Sequence, residues 1–159
     1  MRWLLCVSLV LSTGCRSHFP DLCKGEGPDT YVEIGSGGSE AFAPYGHGDS
    51  ESLGQDDSGA YGFVIEAVAE GLDFSRDISL IYVMTVGGYE TQDFASIKRM
   101  SCVDGAFGFT NFFVDAPTNL EEEIAELEGV PLTARLTLID KDDRKVSTGD
   151  LELFVELAE

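Results

Sequence analysis

Positively charged side chains are scarce in this sequence. Its 159 residues include 10 Lys and Arg against 29 Asp and Glu, which gives a formal net charge of −19. Binding to the phosphates of DNA or RNA needs Lys and Arg gathered on one face, so this composition excludes nucleic acid as a default partner. The same acidity argues against peripheral docking of the body on anionic lipid.

Several motifs of known active sites are also missing. The sequence has no Gly-x-Ser-x-Gly nucleophile elbow. The Gly-rich run 35–39 lacks the following Gly-Lys-Ser/Thr of a phosphate-binding loop, so a flexible turn between strands is the simpler interpretation. A His-Asp-Ser trio can be drawn from His47, Asp49 and Ser50. Three residues so close on one loop do not easily reach the geometry of a catalytic triad.

The chain begins with a short apolar segment. Its apolar run from Trp3 to Leu11 has about half of the roughly 20 residues that a membrane-spanning helix needs. Arg2 precedes the run and small residues follow it, which is typical of a secretory signal peptide. We therefore predict that residues 1–14 are a signal peptide removed during export.

The end of this segment, Leu11-Ser12-Thr13-Gly14-Cys15, resembles a bacterial lipobox, although Ser12 stands where that pattern prefers Leu, Val or Ile. In that family the Cys thiol receives a diacylglycerol and becomes the new N-terminus. The resemblance implies that Cys15 is a lipid anchor with two or three acyl chains, enough for stable membrane attachment. Arg16 is not the Asp that retains lipoproteins at the inner membrane, which implies an outer-membrane address, facing either the periplasm or the outside. The alternatives are secretion without lipid and an N-terminal segment that is retained.

The four cysteines fit an exported protein. Cys6 leaves with the signal peptide and Cys15 takes the lipid, which leaves Cys23 and Cys102 in an oxidising compartment. We predict a disulfide between these two, with separate thiols as the alternative. In the chain-entropy model, closing a loop of about 80 residues contributes roughly 4 kcal/mol at most. Neither Cys has the spacing of a metal site.

The remaining chain divides into a tether and a body. Residues 15–30 carry the lipidated Cys and a Pro- and Gly-containing tether without apolar periodicity. From residue 31 to 159, short apolar runs rich in β-branched and aromatic residues alternate with polar turns. The predicted strands are Tyr31–Gly35, Glu40–Pro44, Gly62–Glu70, Asp77–Val86, Ser96–Val103, Phe107–Asp115, Pro131–Asp140 and Asp150–Leu157.

The last two runs have the clearest period of two. Leu132, Ala134, Leu136 and Leu138 alternate with polar residues, which indicates a sheet with one buried face. By contrast, Leu120, Ile124 and Leu127 have helical spacing, with a capping box before them and Gly129 after them, so we predict one short helix near 119–128. The fold class that follows is mainly β, an immunoglobulin-like antiparallel β-sandwich of seven or eight strands; a small barrel is the alternative.

A second resemblance covers roughly residues 31–73. The segments Val32–Gly37, Phe42–Tyr45 with Gly48-Asp49, and Gly59–Asp73 are similar to a set of bacterial lipoproteins of unknown function with an immunoglobulin-like body. The chain departs from that set at residues 57–62, where the set has Gln-Gly-Gly and a His. The resemblance implies a fold and a location, and it implies no reaction.

Acidic side chains supply the candidate metal ligands. Asp49, Glu51, Asp56 and Asp57 lie in one segment, interpreted as a loop, and Asp140, Asp142, Asp143 and Asp150 flank the last hairpin. Ca²⁺ takes six to eight oxygen ligands, which loop tips of a sandwich can supply. The weak candidates are Asp49, Asp56, Asp57, Asp140 and Asp142. The alternative is a solvated charged surface that blunts sheet edges, and we predict no metal and no cofactor.

These observations favour a membrane-anchored, non-enzymatic binding or envelope-structural module. Its expected partners are the bilayer, through the anchor, and an unidentified protein or glycan. The alternatives are an adhesin that depends on a divalent cation and a hydrolase that uses a carboxylate pair. A concave pocket with two titratable groups of perturbed pKa would favour the hydrolase, and flat sheet faces with solvated loops would favour the module.

Overall fold

The computed structural model describes residues 30–38, 41–87, 89, 91–103, 106–116 and 124–158. These residues form eleven strands, whose bounds are β1 Tyr31–Ser36, β2 Ala43–Pro44, β3 Ser50–Gln55, β4 Tyr61–Glu70, β5 Ile78–Val86, β6 Gln92–Lys98, β7 Ser101–Val103, β8 Ala106–Asp115, β9 Pro131–Ile139, β10 Lys145–Ser147 and β11 Leu151–Leu157. The prediction of a mainly β fold is confirmed, whereas the predicted number of seven or eight strands is too low.

The strands form one curled sheet. Its order is β2-β1-β4-β3-β11-β9-β5-β6, with β8 paired to β4 and carrying β7, and with β10 paired to β9. All described pairs are antiparallel except β3 with β11, which run parallel. The sheet curls back far enough for β1 to contact β9 and β10 without pairing to either.

The core lies inside this curl and is built by alternation along the strands. On β9, Leu132, Ala134, Leu136 and Leu138 are fully buried, as their period of two predicts. They pair with β5, whose Ile78, Leu80, Tyr82, Met84 and Val86 are buried in the same way. A sheet with one face turned inward buries every second residue, so this pattern follows from the pleat.

The prediction of a helix near 119–128 is wrong for the part of that segment that the structure describes; residues 117–123 lie outside it. Ile124–Glu126 form only a three-residue 3-10 turn. Leu127 is buried in the core, and the Gly129 N–H donates to the Val155 carbonyl of β11. Attachment to β11 overrides the helical spacing, because a short helix has a costly nucleus and little stability of its own.

Two strands lie where no strand was predicted. Residues 50–55 were interpreted as loop and form β3, and residues 145–147, between the last two predicted strands, form β10. The predicted strand Ser96–Val103 is divided between β6, which begins at Gln92, and β7. β9 and β11 pair as expected, with Leu151 opposite Ala134. β3 and β10 were not predicted as strands because both are strongly polar and lack the apolar alternation that is used to assign strands.

Strand β8, which is rich in phenylalanine, packs against the core and has an irregular backbone at one point. Asn111 has φ of 55°, and the pairing with β4 shifts there, from Phe112 opposite Ile65 to Phe109 opposite Ala67. The shift brings Phe109 and Phe112 together edge to face at 5.9 Å. Phe109 is buried and Phe112 half-buried against the core, so these rings contribute to core packing.

Candidate functional site

The most distinctive feature of the sheet is a gap along one edge of β4. β1 pairs with this edge as far as Gly35 opposite Glu66, and β3 takes over at Leu53 opposite Phe63. The intervening part of β4 pairs with neither strand in these registers. A cavity of about 250 Å³ lies where the two strands diverge.

The polar side chains that line the cavity carry carboxyl or hydroxyl groups. Its described walls contain two carboxyl side chains, three hydroxyl groups, small apolar side chains and no basic residue. The lining residues are Ser36, Gly37, Tyr45, Glu51, Ser52, Gly54, Val64, Glu66 and Ala158. Such a lining offers acceptors to a ligand and has no positive charge for an anion.

Glu51 is the most unusual of these residues. On β3, Glu51 and Leu53 face inward while Ser50 and Ser52 face outward, so a carboxyl occupies a core position. Glu51 is 2% exposed, and its Oε2 atom has no hydrogen-bond partner among the residues that the structure describes. Burial raises the pKa of Glu51 to about 8, against the opposing effects of the Tyr45 hydroxyl and the Ser52 N–H. At neutral pH the folded protein therefore holds this carboxyl mainly in its neutral form.

Two tyrosines, Tyr45 and Tyr82, interact electrostatically with the Glu51 carboxyl. Burial, with the nearby charge of Glu51, raises the pKa of Tyr45 to about 12. Tyr82 of β5 is fully buried and its hydroxyl, like Glu51 Oε2, has no hydrogen-bond partner in the described part of the chain. Burial also raises the pKa of Tyr82, and the charge of Glu51 adds to the effect. Two unpaired buried polar atoms in one region are costly, and each calls for an explanation such as a bound ligand, ion or water.

Glu66 forms the second carboxyl of the cavity. It is 8% exposed and lies where the β4–β8 pairing shifts between Ile65 and Ala67. Its Oε2 accepts a hydrogen bond of 2.7 Å from the Gly38 N–H. Gly37 and Gly38 have φ of 106° and 75°, so only glycine adopts this conformation without strain. The Gly-rich run after β1 is thus shaped to hold Glu66, a role that the interpretation as a flexible turn missed.

A second cavity, of about 490 Å³, adjoins the first. It is lined by Leu53, Gly54, Gln55, Tyr61, Ile124, Leu157 and Ala158, and it shares Gly54 and Ala158 with the Glu51 cavity. Its described walls are about as polar as they are apolar, with the Gln55 amide and the Tyr61 hydroxyl among them, and include no carboxylate and no basic residue. It extends the first cavity along β3.

The predicted metal candidates on the first acidic segment have structural partners. The Asp49 carboxylate accepts the Gly46 N–H at 2.7 Å. Asp56 Oδ1 accepts the N–H and hydroxyl of Ser58 and the Ala60 N–H at 2.7–3.0 Å, which closes the turn from β3 to β4. Asp57 is exposed in that turn. These contacts are typical of Asp in turns and require no metal.

Asp140 likewise accepts hydrogen bonds from donor groups of the protein itself. Its Oδ1 accepts the N–H groups of Asp142 and Arg144, and its Oδ2 accepts the Asp73 N–H and two nitrogens of the Arg144 guanidinium. Burial tends to raise the pKa of Asp140, but these donors hold it below its usual value. Across the part of the chain that the structure describes, no group of three or more His, Cys, Asp and Glu side chains could hold a metal ion.

The His-Asp-Ser trio does not assemble. His47 Nδ1 accepts the Glu152 N–H of β11 at 3.2 Å, and Asp49 turns to Gly46. The His47 imidazole, which would be the base of a triad, therefore attaches its loop to β11 instead of accepting a hydrogen bond from a nucleophile. This agrees with the expectation that three residues of one short loop do not form a triad.

The residues predicted for export lie mostly outside the described chain. Residues 1–29, with Cys15 and Cys23, are among those the structure does not describe, so the signal peptide, the lipid anchor and the tether stay predictions. Cys102 lies on β7, and its disulfide with Cys23 stays a prediction as well. Within the described ranges, no helix has the length and apolar character needed to cross a bilayer.

Sequence reasoning missed most of the Glu51 cavity. It placed Glu51 in a solvated acidic loop and did not single out Glu66, Tyr45 or Tyr82. One signal was available, because Glu66 interrupts the apolar run Phe63–Ala69 with a single carboxyl. The comparisons with known proteins add no family, since no protein-family model matches the chain and no significant match to a curated protein was found.

Proposed function

We propose that the chain is an exported lipoprotein, anchored through Cys15 at the outer membrane, whose β body is a non-enzymatic binding module. The lipobox-like sequence supports the anchor, and the curled β sheet is consistent with an immunoglobulin-like sandwich. With the signal peptide removed, the net charge would be about −20, which keeps the body away from anionic head groups while the acyl chains hold the membrane.

The observation that carries the binding role is the Glu51 cavity. A carboxyl that is 2% exposed, with one oxygen unpartnered among the described residues, lines an opening in the sheet. Natural cores avoid such groups because the cost of desolvation is not returned by a hydrogen bond. A bound ligand that pairs with this oxygen would explain why Glu51 is kept there.

A hydrolase is the second candidate, and one observation favours it. Glu51 and Tyr45 both line the cavity with raised pKa values, which is the pattern expected of an active site. Against it, the described lining contains no His, Cys or Lys that could serve as base or nucleophile beside the two carboxyl groups. Assays with chromogenic esters and glycosides should therefore detect no turnover. Turnover that is lost in Glu51→Gln would favour the hydrolase instead.

The anchor is tested by intact-mass analysis of protein extracted from membranes. We expect a mass that corresponds to cleavage before Cys15 with added acyl chains, together with the loss of two hydrogens for a Cys23–Cys102 disulfide. Cys15→Ser should abolish the acyl mass and leave the protein in the soluble fraction. An unprocessed chain that begins at Met1 and lies in the cytosol would contradict the proposal.

A further inference from the structure

We propose that the cavity between β1 and β3 binds a small organic ammonium group, with the carboxyl groups of Glu51 and Glu66 as its ion partners. This inference rests on the proposed binding function and specifies its ligand. It uses the cavity, the unpartnered polar atoms and the sign of the charges around them.

The arrangement of acceptors fits a primary ammonium. Glu51 and the hydroxyl-bearing Ser36, Tyr45 and Ser52 line the cavity, and Glu51 Oε2 has no hydrogen-bond partner among the described residues. Glu66 is held at the cavity by the Gly38 N–H. An ammonium group carries three donors and no acceptor, so carboxylate and hydroxyl oxygens satisfy it completely. Charge-assisted hydrogen bonds of this kind are the stronger class in a buried site.

The lining excludes the opposite charge. Its nine described residues include two carboxyl groups and no Lys, Arg or His, and the whole chain has a net charge of −19. A carboxylate or phosphate ligand would be repelled by the two carboxyl groups when they are ionised, and it would meet no positively charged side chain in the described lining. The long-range field of the protein would instead concentrate cations near the opening.

The size of the cavity limits the organic part of the ligand. A volume of about 250 Å³ equals that of roughly eight water molecules. Val64 and Ala158 give it apolar contacts suited to a short alkyl chain. A sugar chain or a folded peptide is too large, whereas a short alkylamine fits.

A divalent metal ion fits less well. Ca²⁺ takes six to eight oxygens in flexible loops, whereas Glu51 and Glu66 are held on paired strands. The described residues also contain no cluster of three or more metal-ligating side chains, as noted above. A monovalent ammonium needs only two or three acceptors and matches the two carboxyl groups.

Binding should release a proton. Glu51 has a pKa of about 8 in the free protein, so an ammonium that needs its ionised form displaces nearly one proton at pH 7. The other titratable groups around Glu51 are Tyr45 before β3, Glu66 on β4 and Tyr82 on β5. Both tyrosines titrate above this range because their pKa values are raised. Affinity should therefore increase as the pH rises from 6 to 8.

The test uses three probes of one size and different charge. Butylammonium chloride, 1-butanol and sodium butyrate are titrated into the full-length purified protein at pH 7 and constant ionic strength, with CaCl₂ as a fourth arm. We expect millimolar binding by calorimetry, and a raised thermal midpoint, for butylammonium alone. Two buffers of different ionisation enthalpy should show the release of nearly one proton.

Variants identify the site. Glu51→Gln should weaken butylammonium binding at least tenfold and abolish proton release, and Glu66→Gln should weaken it as well. Glu126→Gln makes the same substitution at an exposed residue of the 3-10 turn and should change nothing. Equal binding to Glu51→Gln and wild type would overturn the inference, because attraction to the acidic surface would then explain it.

The other outcomes separate this inference from the proposed function. If butanol or butyrate binds in a Glu51-dependent way and butylammonium does not, the cavity is a binding site and the ammonium inference is wrong. If Ca²⁺ alone stabilises the wild type and not Glu51→Gln, the inference is also wrong and the site is a metal site. If no probe binds, both the inference and the binding role assigned to the cavity fall.

Discussion

Replacing Glu51 by Gln is expected to increase stability by about 2–4 kcal/mol more at pH 9 than at pH 5. Burial raises the pKa of Glu51 from 4.5 to about 8 in the folded protein. The unfolded chain exposes this carboxyl, where it titrates near its usual value. Gln has nearly the same shape and does not ionise, so the variant loses the pH dependence that Glu51 contributes.

The direction of this pH dependence follows from the raised pKa. Below pH 4.5 both states hold the Glu51 proton, and the carboxyl causes no loss of stability. Between pH 4.5 and 8 the unfolded chain releases the proton while the folded protein keeps it, so stability falls as the pH rises. Above pH 8 both states are ionised and the loss is complete. Tyr45, with a pKa of about 12, does not titrate in this window.

Urea denaturation of wild type, Glu51→Gln and Glu126→Gln at each pH from 5 to 9 measures the effect. The differences between variants remove the shared repulsion among the many acidic residues. Glu126→Gln should follow the wild type, since Glu126 is exposed. Parallel curves for wild type and Glu51→Gln would show that Glu51 titrates normally, and the account of the cavity would then be wrong.

Asp140→Ala is expected to lower the free energy of unfolding by about 3 kcal/mol. The Asp140 carboxylate accepts the N–H groups of Asp142 and Arg144 within its own turn and the Asp73 N–H from the segment between β4 and β5. It also pairs with the Arg144 guanidinium at 2.6 Å. The substitution leaves several donors without their partner and loosens the contact between two connecting segments.

Urea denaturation at pH 7, with Asp142→Ala as the control, measures this loss. Asp142 lies in the same turn and is exposed, so its substitution should change stability by less than about 0.5 kcal/mol. Equal effects of the two substitutions would mean that the turn depends on backbone conformation rather than on the Asp140 carboxylate. Asp140→Asn should fall between them, because one amide oxygen still accepts hydrogen bonds.

The strands with strong alternation could be read from the sequence almost residue by residue. On β9, Leu132 to Leu138 bury every second side chain as their spacing predicts. β4, β5 and β11 also lie within one residue of the predicted bounds. In these segments local propensity, alternation and burial all favour the same structure, so no tertiary information is needed.

β3 shows where this reasoning fails. Its sequence Ser-Glu-Ser-Leu-Gly-Gln has one large apolar residue, and polarity alone predicts a loop. The segment becomes a strand because β4 and β11 pair with its two edges, β11 in parallel through Leu157 opposite Leu53. Pairing partners distant in sequence supply hydrogen bonds that no local pattern records.

The segment before β9 shows the opposite error. Ile124 and Leu127 have helical spacing, yet the described part of this segment makes only one short 3-10 turn. Leu127 is buried in the core, and the backbone of residues 129–130 bonds to Val155 of β11. Helical spacing shows only which residues could share one face of a helix. Here the attachment of the segment to β11 buries Leu127 without a helix.

The amino-acid order alone therefore specifies an acidic, mainly β body and an N-terminus predicted to carry an export signal, because composition and alternation are local properties of the chain. The three-dimensional arrangement alone decides that Glu51 faces the interior beside Tyr82 and Glu66 rather than water. Glu51 precedes Glu66 by 15 residues and Tyr82 by 31, and only the pairing of β3 with β4 and the curl of the sheet toward β5 bring them together. Their burial, and the altered proton affinity that results, exist only in the assembled fold.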